Sequence, residues 1–400
     1  MGQTTREFKG NSIRVLKEAN KYLVLQCIMT LSPLATEDIV KNTGLSRPTV
    51  LNILRELEED EVVIKDGFSE SNGGRSAALL TLNGSKHLAL GIDFEFPAVR
   101  MVIANLKGEI HSSRKVVYDK AIEKDELLRD FYRELHDFIA ASGVDASLLD
   151  GVGIGVSGVI DSARGVSLTI ERINSWFNVP LKEDLERELG IPAYIRNDVH
   201  LLGLVEKRLY LPDDLTDFIY VAIRSGIGSI AYQHNKPMRG EKGNAGFIGH
   251  TTMNPTGPEC CCGSRGCLET YVGQLATVSR YEALTGQQLS FDEMLRRADT
   301  GDDVAKQVLQ DAGFYFGVAL ANLVKTYEIP HVIVGGLPEK ESAVFMKATR
   351  DTLHSYIPDS LQIDVQLRVG RLPEEQYALG GCYLVFEHLF SKPKLALSLI

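Results

Sequence analysis

The stretch GNAGFIGHTTMNPTGPECCCGSRGCLE, residues 243–269, holds four of the chain's six cysteines and one histidine. Its potential metal ligands follow the spacing His-x9-Cys-x-Cys-x4-Cys. Thiolates and imidazole are the donors that Zn²⁺ prefers, and four of them complete a tetrahedral structural site. The spacing therefore predicts that one structural Zn²⁺ is bound by His250, Cys260, Cys262 and Cys267.

The alternative for this stretch is a set of free or disulfide-bonded cysteines. Adjacent cysteines rarely meet the geometry of a disulfide, and the N-terminus has no apolar signal-peptide core. Gly263 and Gly266 allow the backbone to wrap around an ion. Cys261 points away if its two neighbours are ligands, so it is left out of the predicted site.

A helix-turn-helix pattern lies near the N-terminus. Apolar spacing predicts a helix over 11–30, a short helix capped by Thr36 and a third helix capped by Ser46. Gly44 ends the second helix, and two short helices joined by a glycine turn are typical of DNA-binding motifs. The third helix has an apolar face formed by Val50, Ile53, Leu54 and Leu57.

The third helix and the hairpin after it supply the candidate DNA contacts. Residues 62–65 and 78–82 are predicted strands, and the polar run between them ends in Gly73, Gly74 and Arg75. The alternative is a small packing or dimerisation module with a solvated hairpin. The predicted DNA-binding residues are Ser46, Arg47, Thr49, Asn52, Arg55, Gly74 and Arg75.

Composition sets limits on the function. The net charge of −10 argues against a chain coated with positive charge for nucleic acid, although it leaves room for a local patch. Residues 1–86 carry eleven Lys plus Arg against eleven Asp plus Glu, so this segment is neutral. No apolar run is long enough to span a bilayer. Reduced thiols and the missing export signal predict a cytoplasmic protein without membrane insertion.

From residue 87 onward the pattern is that of an α/β protein. Strands are predicted over 88–94, 99–106, 110–117, 151–156, 193–195, 218–223, 229–233 and 332–334. Helices are predicted over 124–141, 181–189, 199–208, roughly 268–297, 302–327, 339–357 and 374–391. This repeated order indicates two α/β halves that face each other across a cleft.

The predicted domains are a winged helix-turn-helix over 1–86 and a two-lobed effector domain over 87–400. One lobe takes residues 87–197 plus the C-terminal helix, and the other takes residues 198–373. The zinc-binding loop, 250–267, belongs to the second lobe.

The motif Gly249-His250 followed by Cys-x-Cys-Gly-x-x-Gly-Cys-x-Glu resembles the signature of the ROK family, which comprises repressors, open reading frames and sugar kinases. The resemblance covers about residues 87–391. It implies the actin-like fold of sugar kinases, also called RNase H-like, for the two-lobed body.

The resemblance also implies a sugar site. Asn197-Asp198 lies in the motif Asn-Asp-Val-x6-Glu, which supplies a sugar-binding Asn and the catalytic Asp in kinases of the family. The alternative is that Asp198 only caps the helix 199–208. The implied sugar-binding residues are Gly158, Asn197, Asp198, His250 and Glu269.

Two departures from the family pattern bear on catalysis. Sugar kinases of the family carry Asp-x-Gly-x-Thr at the first phosphate loop, whereas this chain has Asp93-Phe94-Glu95-Phe96-Pro97. An acid in place of the glycine would repel phosphate, and proline removes an amide donor. At the family's Glu-x-Gly-His, Phe247 replaces the acid that holds sugar hydroxyls. Phenylalanine can stack on a sugar face but cannot accept a hydrogen bond, so the identity of the sugar is left open and, to a lesser degree, so is sugar binding itself.

These observations predict a DNA-binding repressor whose kinase-like body senses a sugar or sugar phosphate. No catalytic residue is then expected, and Asp198 is the vestigial counterpart of the base that kinases of the family use. The expected partners are double-stranded operator DNA and further copies of the chain, in a homodimer or a homotetramer. The alternatives are an active sugar kinase with a DNA-binding appendage, and a regulator that has lost sugar binding and docks a transport protein.

Overall fold

The structure, a computed structural model, describes residues 13–69, 76–337 and 343–390. Its N-terminal part consists of three helices and a small antiparallel sheet in the order β1-β3-β2. These elements are α1 (Ile13–Leu31), β1 (Leu34–Ala35), α2 (Thr36–Thr43), α3 (Arg47–Glu59), β2 (Val63–Phe68) and β3 (Ala78–Leu82).

Local caps fix the turn between α2 and α3. Gly44 ends α2 in the left-handed conformation with φ 67°, and the Ser46 side chain accepts a hydrogen bond from Thr49 N. The prediction that Thr36 caps α2 is wrong, because α2 already includes Thr36. The N-cap residue is Ala35, and its backbone N–H donates to the Asp38 carboxylate at 3.0 Å.

The predicted apolar face of α3 is confirmed. Val50, Ile53, Leu54 and Leu57 are all buried, and they share one core with Val24 and Ile28 of α1 and Ile39 of α2. The predicted hairpin strands are also confirmed, although β1 was not expected. The predicted tip of the hairpin, formed by Gly73, Gly74 and Arg75, lies outside the described residues.

The first large sheet has the strand order β11-β7-β4-β5-β6. Strands β4, β7 and β11 are parallel to one another, and β5 and β6 complete an antiparallel meander. The strands are β4 (Leu88–Glu95), β5 (Ala98–Asn105), β6 (Ile110–Val117), β7 (Leu149–Val156) and β11 (Ala193–Asn197). The helices beside it are α4 (Lys124–Ala141), α5 (Leu181–Leu189) and α12 (Leu379–Leu389).

The C-terminal helix α12 returns to this first sheet, as the sequence predicted for the first lobe. A Cβ atom added to Gly153 would lie 2.0 Å from the carbonyl oxygen of Gly381, and one added to Gly91 would lie 2.1 Å from that of Ala378. Glycine is therefore required where the strands and α12 touch backbone to backbone.

The second large sheet has the order β14-β13-β12-β15-β16. Its strands are β12 (Phe218–Ile223), β13 (Ile227–Gln233), β14 (Lys236–Pro237), β15 (His331–Gly335) and β16 (Gln366–Val369). The helices of this half are α6 (Asp198–Leu209), α7 (Glu269–Val272), α8 (Gln274–Thr285), α9 (Phe291–Thr300), α10 (Asp303–Tyr327) and α11 (Ala343–Ser355).

Two predictions about the body need correction, and one small sheet was not predicted at all. The helix predicted over 268–297 is divided into α7, α8 and α9, because Gly273 and Gly286 interrupt it. The last predicted helix, 374–391, begins with a 3-10 turn at Glu374–Gln376 before α12. A small sheet of β8 (Val159–Asp161), β9 (Val166–Thr169) and β10 (Phe177–Val179) was not anticipated.

Among the described helices, none combines the length and the apolar character that crossing a membrane requires.

Candidate functional site

A cleft with about 790 Å³ of empty volume lies where the strands of the two large sheets end. The parallel strands β4, β7 and β11 end at Glu95, Val156 and Asn197, so their carboxyl ends meet at one edge. The predicted sugar-binding residues come together here: the lining includes Gly158, Asn197, Asp198, His250 and Glu269.

Asn197 and Asp198 have distinct roles at the start of α6. The Asn197 side chain caps the helix, and its Oδ1 accepts a hydrogen bond from His200 N at 3.3 Å. The suggestion that Asp198 is the cap is therefore wrong, and the Asp198 carboxylate faces the cleft instead. Burial, reinforced by the nearby Asp93 and Glu95 and opposed by Arg224, raises the pKa of Asp198 to about 7.

A buried ion cluster joins the two sheets at the base of the cleft. Arg224 directly follows β12, and its Nη2 lies 2.6 Å from Asp93 Oδ2 and 2.7 Å from Glu95 Oε2. Its Nη1 lies 3.3 Å from Asp198 Oδ2. Burial alone would raise the pKa of Asp93, but Arg224 and Arg100 together hold it below its ordinary value. The cluster thus keeps the Asp93 carboxylate ionised inside the protein.

Glu95 closes the turn between β12 and β13. Its Oε1 accepts a hydrogen bond from Ser225 N at 2.9 Å, while its Oε2 pairs with Arg224. The two loops that the sequence singled out, 93–97 and 225–228, therefore meet, and a side-chain carboxylate occupies an amide that a phosphate could otherwise use. Arg224 itself was missed, since a single arginine before a glycine turn gives no distinctive signal.

Two further residues, Glu171 and Arg172, reach the cleft from the loop between β9 and β10. Arg172 donates to the carbonyl of Ser225 and lies 3.4 Å from Glu269 Oε1. Glu171 Oε2 lies 3.8 Å from His250 Nε2. Sequence analysis missed both residues because this loop has no periodicity and lies far from the motifs in the chain.

Glu171 places a carboxylate near the position where Phe247 replaces the acid of the family motif. The Phe247 ring also lines the cleft and is tilted against the His250 ring, with the ring centroids 6.1 Å apart. A carboxylate is therefore present beside His250 although the motif supplies none, so the cleft retains a hydroxyl acceptor at this end.

The four predicted metal ligands lie together. One donor atom from each of His250, Cys260, Cys262 and Cys267 falls within 4.8 Å of every other. Cys260 Sγ lies 3.6 Å from His250 Nδ1, and Cys262 Sγ lies 3.7 Å from Cys267 Sγ. Three thiols and one imidazole nitrogen match the donor set of a closed tetrahedral zinc site.

Cys261 stands apart from this group, as expected. Its Sγ lies 3.0 Å from Glu171 Oε2, on the cleft side of the loop. The loop is held by the isolated bridges Thr252–Cys267 and Glu259–Arg265. Gly266 has φ 64°, and a Cβ there would lie 1.6 Å from the carbonyl oxygen of Asn254. The fold of the loop therefore demands glycine beside the last cysteine.

The predicted DNA-contact residues divide into two groups. Arg47, Asn52 and Arg55 project from α3 with exposed side chains, whereas Ser46 and Thr49 are joined in the cap, their hydroxyl oxygens 2.8 Å apart. Arg47 also forms an ion pair with Glu37 at 2.9 Å. Gly74 and Arg75 fall outside the described residues.

Comparisons with known proteins agree with the architecture and the motifs. Similar curated proteins include a xylose repressor of Caldicellulosiruptor bescii, 27% identical over 96% of this chain and 99% of its own. Another is the DNA-binding transcriptional repressor Mlc of Escherichia coli, 25% identical over 94% of this chain and 95% of its own.

Solved structures show the same fold. A ROK family transcriptional regulator described as a homologue of Escherichia coli Mlc superposes with TM-score 0.79 at 23% identity, over 94% of this chain and 97% of its own. A ROK family glucokinase from Streptomyces griseus gives 0.65 at 24% identity, over 74% of this chain and 98% of its own. The ROK family model matches residues 89–388. The chain belongs to the ROK family.

Proposed function

We propose that this protein is a sugar-responsive transcriptional repressor, with residues 1–86 as its DNA-binding domain and residues 87–400 as a non-catalytic sensor. The observation that carries the proposal is the buried Glu95–Arg224 ion pair, which lies where the loops 93–97 and 225–228 meet. Relatives that match the chain along nearly its whole length and are named repressors support the same reading.

The ion cluster argues against phosphoryl transfer. Transfer of a phosphoryl group requires backbone amides and cations that are free to contact the phosphate oxygens. In this chain the Ser225 amide and the Arg224 guanidinium are already engaged by carboxylates. The cleft retains groups for sugar hydroxyls in Asn197, Asp198, His250 and Glu269. It therefore favours binding without turnover.

Purified protein is expected to show no ATP-dependent phosphorylation of any sugar in a panel of hexoses, pentoses and amino sugars. The physical reason is that the Glu95 carboxylate already accepts from the Ser225 amide and pairs with Arg224, so neither group is available to a phosphate. A coupled ADP-release assay measures this, with a ROK glucokinase as the positive control. Turnover at about 1 s⁻¹ or faster would instead support the alternative, an active kinase with a DNA-binding appendage.

The sensing mechanism we propose is a population shift of the cleft. Contacts already cross it: Arg172 meets Glu269, and Asn244 accepts from Ile160 N at 3.0 Å and donates to Ile160 O at 2.5 Å. A sugar that binds one cleft angle better than another favours that angle. In a homodimer or homotetramer this changes the separation of two α3 helices, and hence the match to operator half-sites.

Titration of operator DNA tests the whole proposal. The Arg47→Ala and Arg55→Ala variants should each bind operator about tenfold more weakly, because base or phosphate contacts of this kind contribute about 1–3 kcal/mol. Arg164→Ala, an equally exposed arginine in the body, is the matched control and should bind as the wild type does. Fluorescence anisotropy at fixed salt measures the affinities.

The same titration is repeated with sugars and sugar phosphates that raise the melting temperature. We expect at least one of them to change operator affinity. If sugars bind and the affinity stays constant, the allosteric part of the proposal is wrong. If no sugar raises the melting temperature and a transport protein binds instead, the third alternative takes its place.

We further propose that Zn²⁺ is the metal held by His250 and the three cysteines, with a structural role. The arrangement leaves His250 Nε2 on the side of Glu171 while Nδ1 faces Cys260. A bound metal would thus hold the imidazole in place for a sugar contact. The cytoplasm, where operator DNA is located, is the proposed site of action.

A further inference from the structure

We propose that Leu51 reads the methyl group of a thymine in the operator, between the two arginines one helical turn to either side of it. This inference rests on the proposed DNA-binding function and deepens it, since it names the base that one side chain selects. Leu51 lies on the exposed face of α3, where the sequence analysis predicted only polar and charged DNA contacts.

The geometry places the three side chains in one row. Arg47, Leu51 and Arg55 are separated by four residues each, and residues at this spacing are neighbours on a helix surface. Leu51 is 44% exposed, whereas Val50 and Leu54 on the core-facing side of α3 are 0% and 4% exposed. Leu51 is therefore not part of the core that holds α3 in place.

The row faces a concave surface between α3 and the hairpin. Lys65 of β2 and Ala77 beside β3 line this surface together with Arg47, Leu51 and Arg55. Glu58 holds Lys65 at 3.0 Å, so the base of the hairpin is fixed against α3. The surface also includes two acids, Glu37 and Glu58, which are paired with Arg47 and Lys65. With Leu51 at its centre and an arginine at each end, it suits one edge of a DNA groove.

The charges along α3 determine which part of the helix can enter a groove. Its C-terminal end carries four acids, Glu56, Glu58, Glu59 and Asp60, three of which are paired with lysines, so this end of the helix supplies no positive charge of its own to a phosphate. The part of α3 before these acids, residues 47–55, carries Arg47, Asn52 and Arg55 on its exposed side. Leu51 therefore lies at the middle of the only part of this helix suited to the major groove.

The chemistry of leucine then selects the base. A leucine side chain neither donates nor accepts hydrogen bonds, so it cannot distinguish the polar atoms of the base edges. The C5-methyl group of thymine is the apolar group that the major groove presents. Burial of one methyl group corresponds to about a fourfold gain in affinity.

The experiment replaces thymine by deoxyuridine, which removes only that methyl group. The operator is first selected from random double-stranded DNA with the full-length protein, and each thymine is then changed singly. We expect one position in each half-site where the change weakens wild-type binding about fourfold. At that position the Leu51→Ala variant should show no difference between the two bases.

The control is Leu23→Ala, another exposed leucine of the N-terminal helices, which should keep the wild-type sensitivity. Circular dichroism and gel filtration verify that each variant is folded and has the wild-type oligomeric state. If no thymine position is sensitive, or if Leu51→Ala retains the sensitivity, the inference is wrong.

Two further outcomes are informative. A change of oligomeric state in Leu51→Ala with unchanged methyl sensitivity would assign Leu51 to contact with a second copy, against our inference. Failure to select or bind any DNA would overturn the proposed function itself, whereas binding without methyl sensitivity overturns only the role of Leu51.

Discussion

Replacement of Arg224 by methionine should lower the free energy of unfolding of the body by about 3–5 kcal/mol, because removal of one partner leaves buried charges uncompensated. The Arg224 side chain is 5% exposed and faces three carboxylates, those of Asp93, Glu95 and Asp198. Arg100 compensates only part of this charge, since its Nη1 lies 2.9 Å from Asp93 Oδ2 and 3.4 Å from Glu95 Oε2 while its other nitrogens are directed to Glu374.

Urea denaturation followed by tryptophan fluorescence measures the change. Trp176 is the chain's only tryptophan. Its ring centroid lies 5.6 Å from that of Phe94, and Phe94 stands between Asp93 and Glu95 in the sequence. The signal therefore reports on the part of the body that holds the cluster.

Arg164→Met is the matched control for this experiment. Arg164 is 69% exposed and lies 3.9 Å from Asp161, so its loss should change the free energy of unfolding by no more than about 0.5 kcal/mol. Combining Arg224→Met with Asp93→Asn and Glu95→Gln should recover part of the loss, because fewer charges remain unpaired. An Arg224→Met protein as stable as the wild type would contradict the cluster's structural role.

Replacement of Cys267 by serine should abolish metal binding, so that zinc falls from about one ion per chain to nearly none. Cys267 is fully buried, and serine offers a poor ligand in place of a thiolate. We also expect weaker sugar binding, because His250 borders both the metal site and the cleft. Elemental analysis of the purified protein and a thermal-shift titration measure the two effects.

Cys261→Ser provides the control in the same loop. Cys261 is exposed and outside the four-donor group, so this variant should retain its zinc. Equal loss of zinc from both variants would contradict the assignment of ligands. Full zinc content in Cys267→Ser would contradict the metal site altogether.

Much of the fold could be predicted because the chain's local patterns and its tertiary packing agree. The helices 124–141 and 181–189 have the bounds that their apolar spacing and glycine breaks indicate. Strands β4 and β7 of the first sheet are similarly recognisable, since they are largely apolar runs buried on both faces. Elements without periodicity, such as β8 to β10, gave no comparable signal.

The ligand sets show a similar division. The predicted metal ligands are close in the chain, so their spacing restricts the geometry they can adopt, and the structure brings all four together. The carboxylate of Glu171 lies 79 residues before His250 in the chain, and only the packing of the β9–β10 loop against the loop 250–267 brings the two together. The residues next to Glu171 and His250 in the sequence give no indication of this contact.

The sequence by itself determined the α/β organisation, the cysteine–histidine cluster and the acid at the first phosphate loop, because each depends on residues that are neighbours in the chain. The tertiary structure alone decided that Arg224 neutralises that acid, that Asn197 rather than Asp198 caps α6, and that Arg172 crosses the cleft. These contacts join residues from separate strands and loops. Their partners are selected by burial, since a charge removed from water requires an opposite charge or a hydrogen bond wherever the fold provides one.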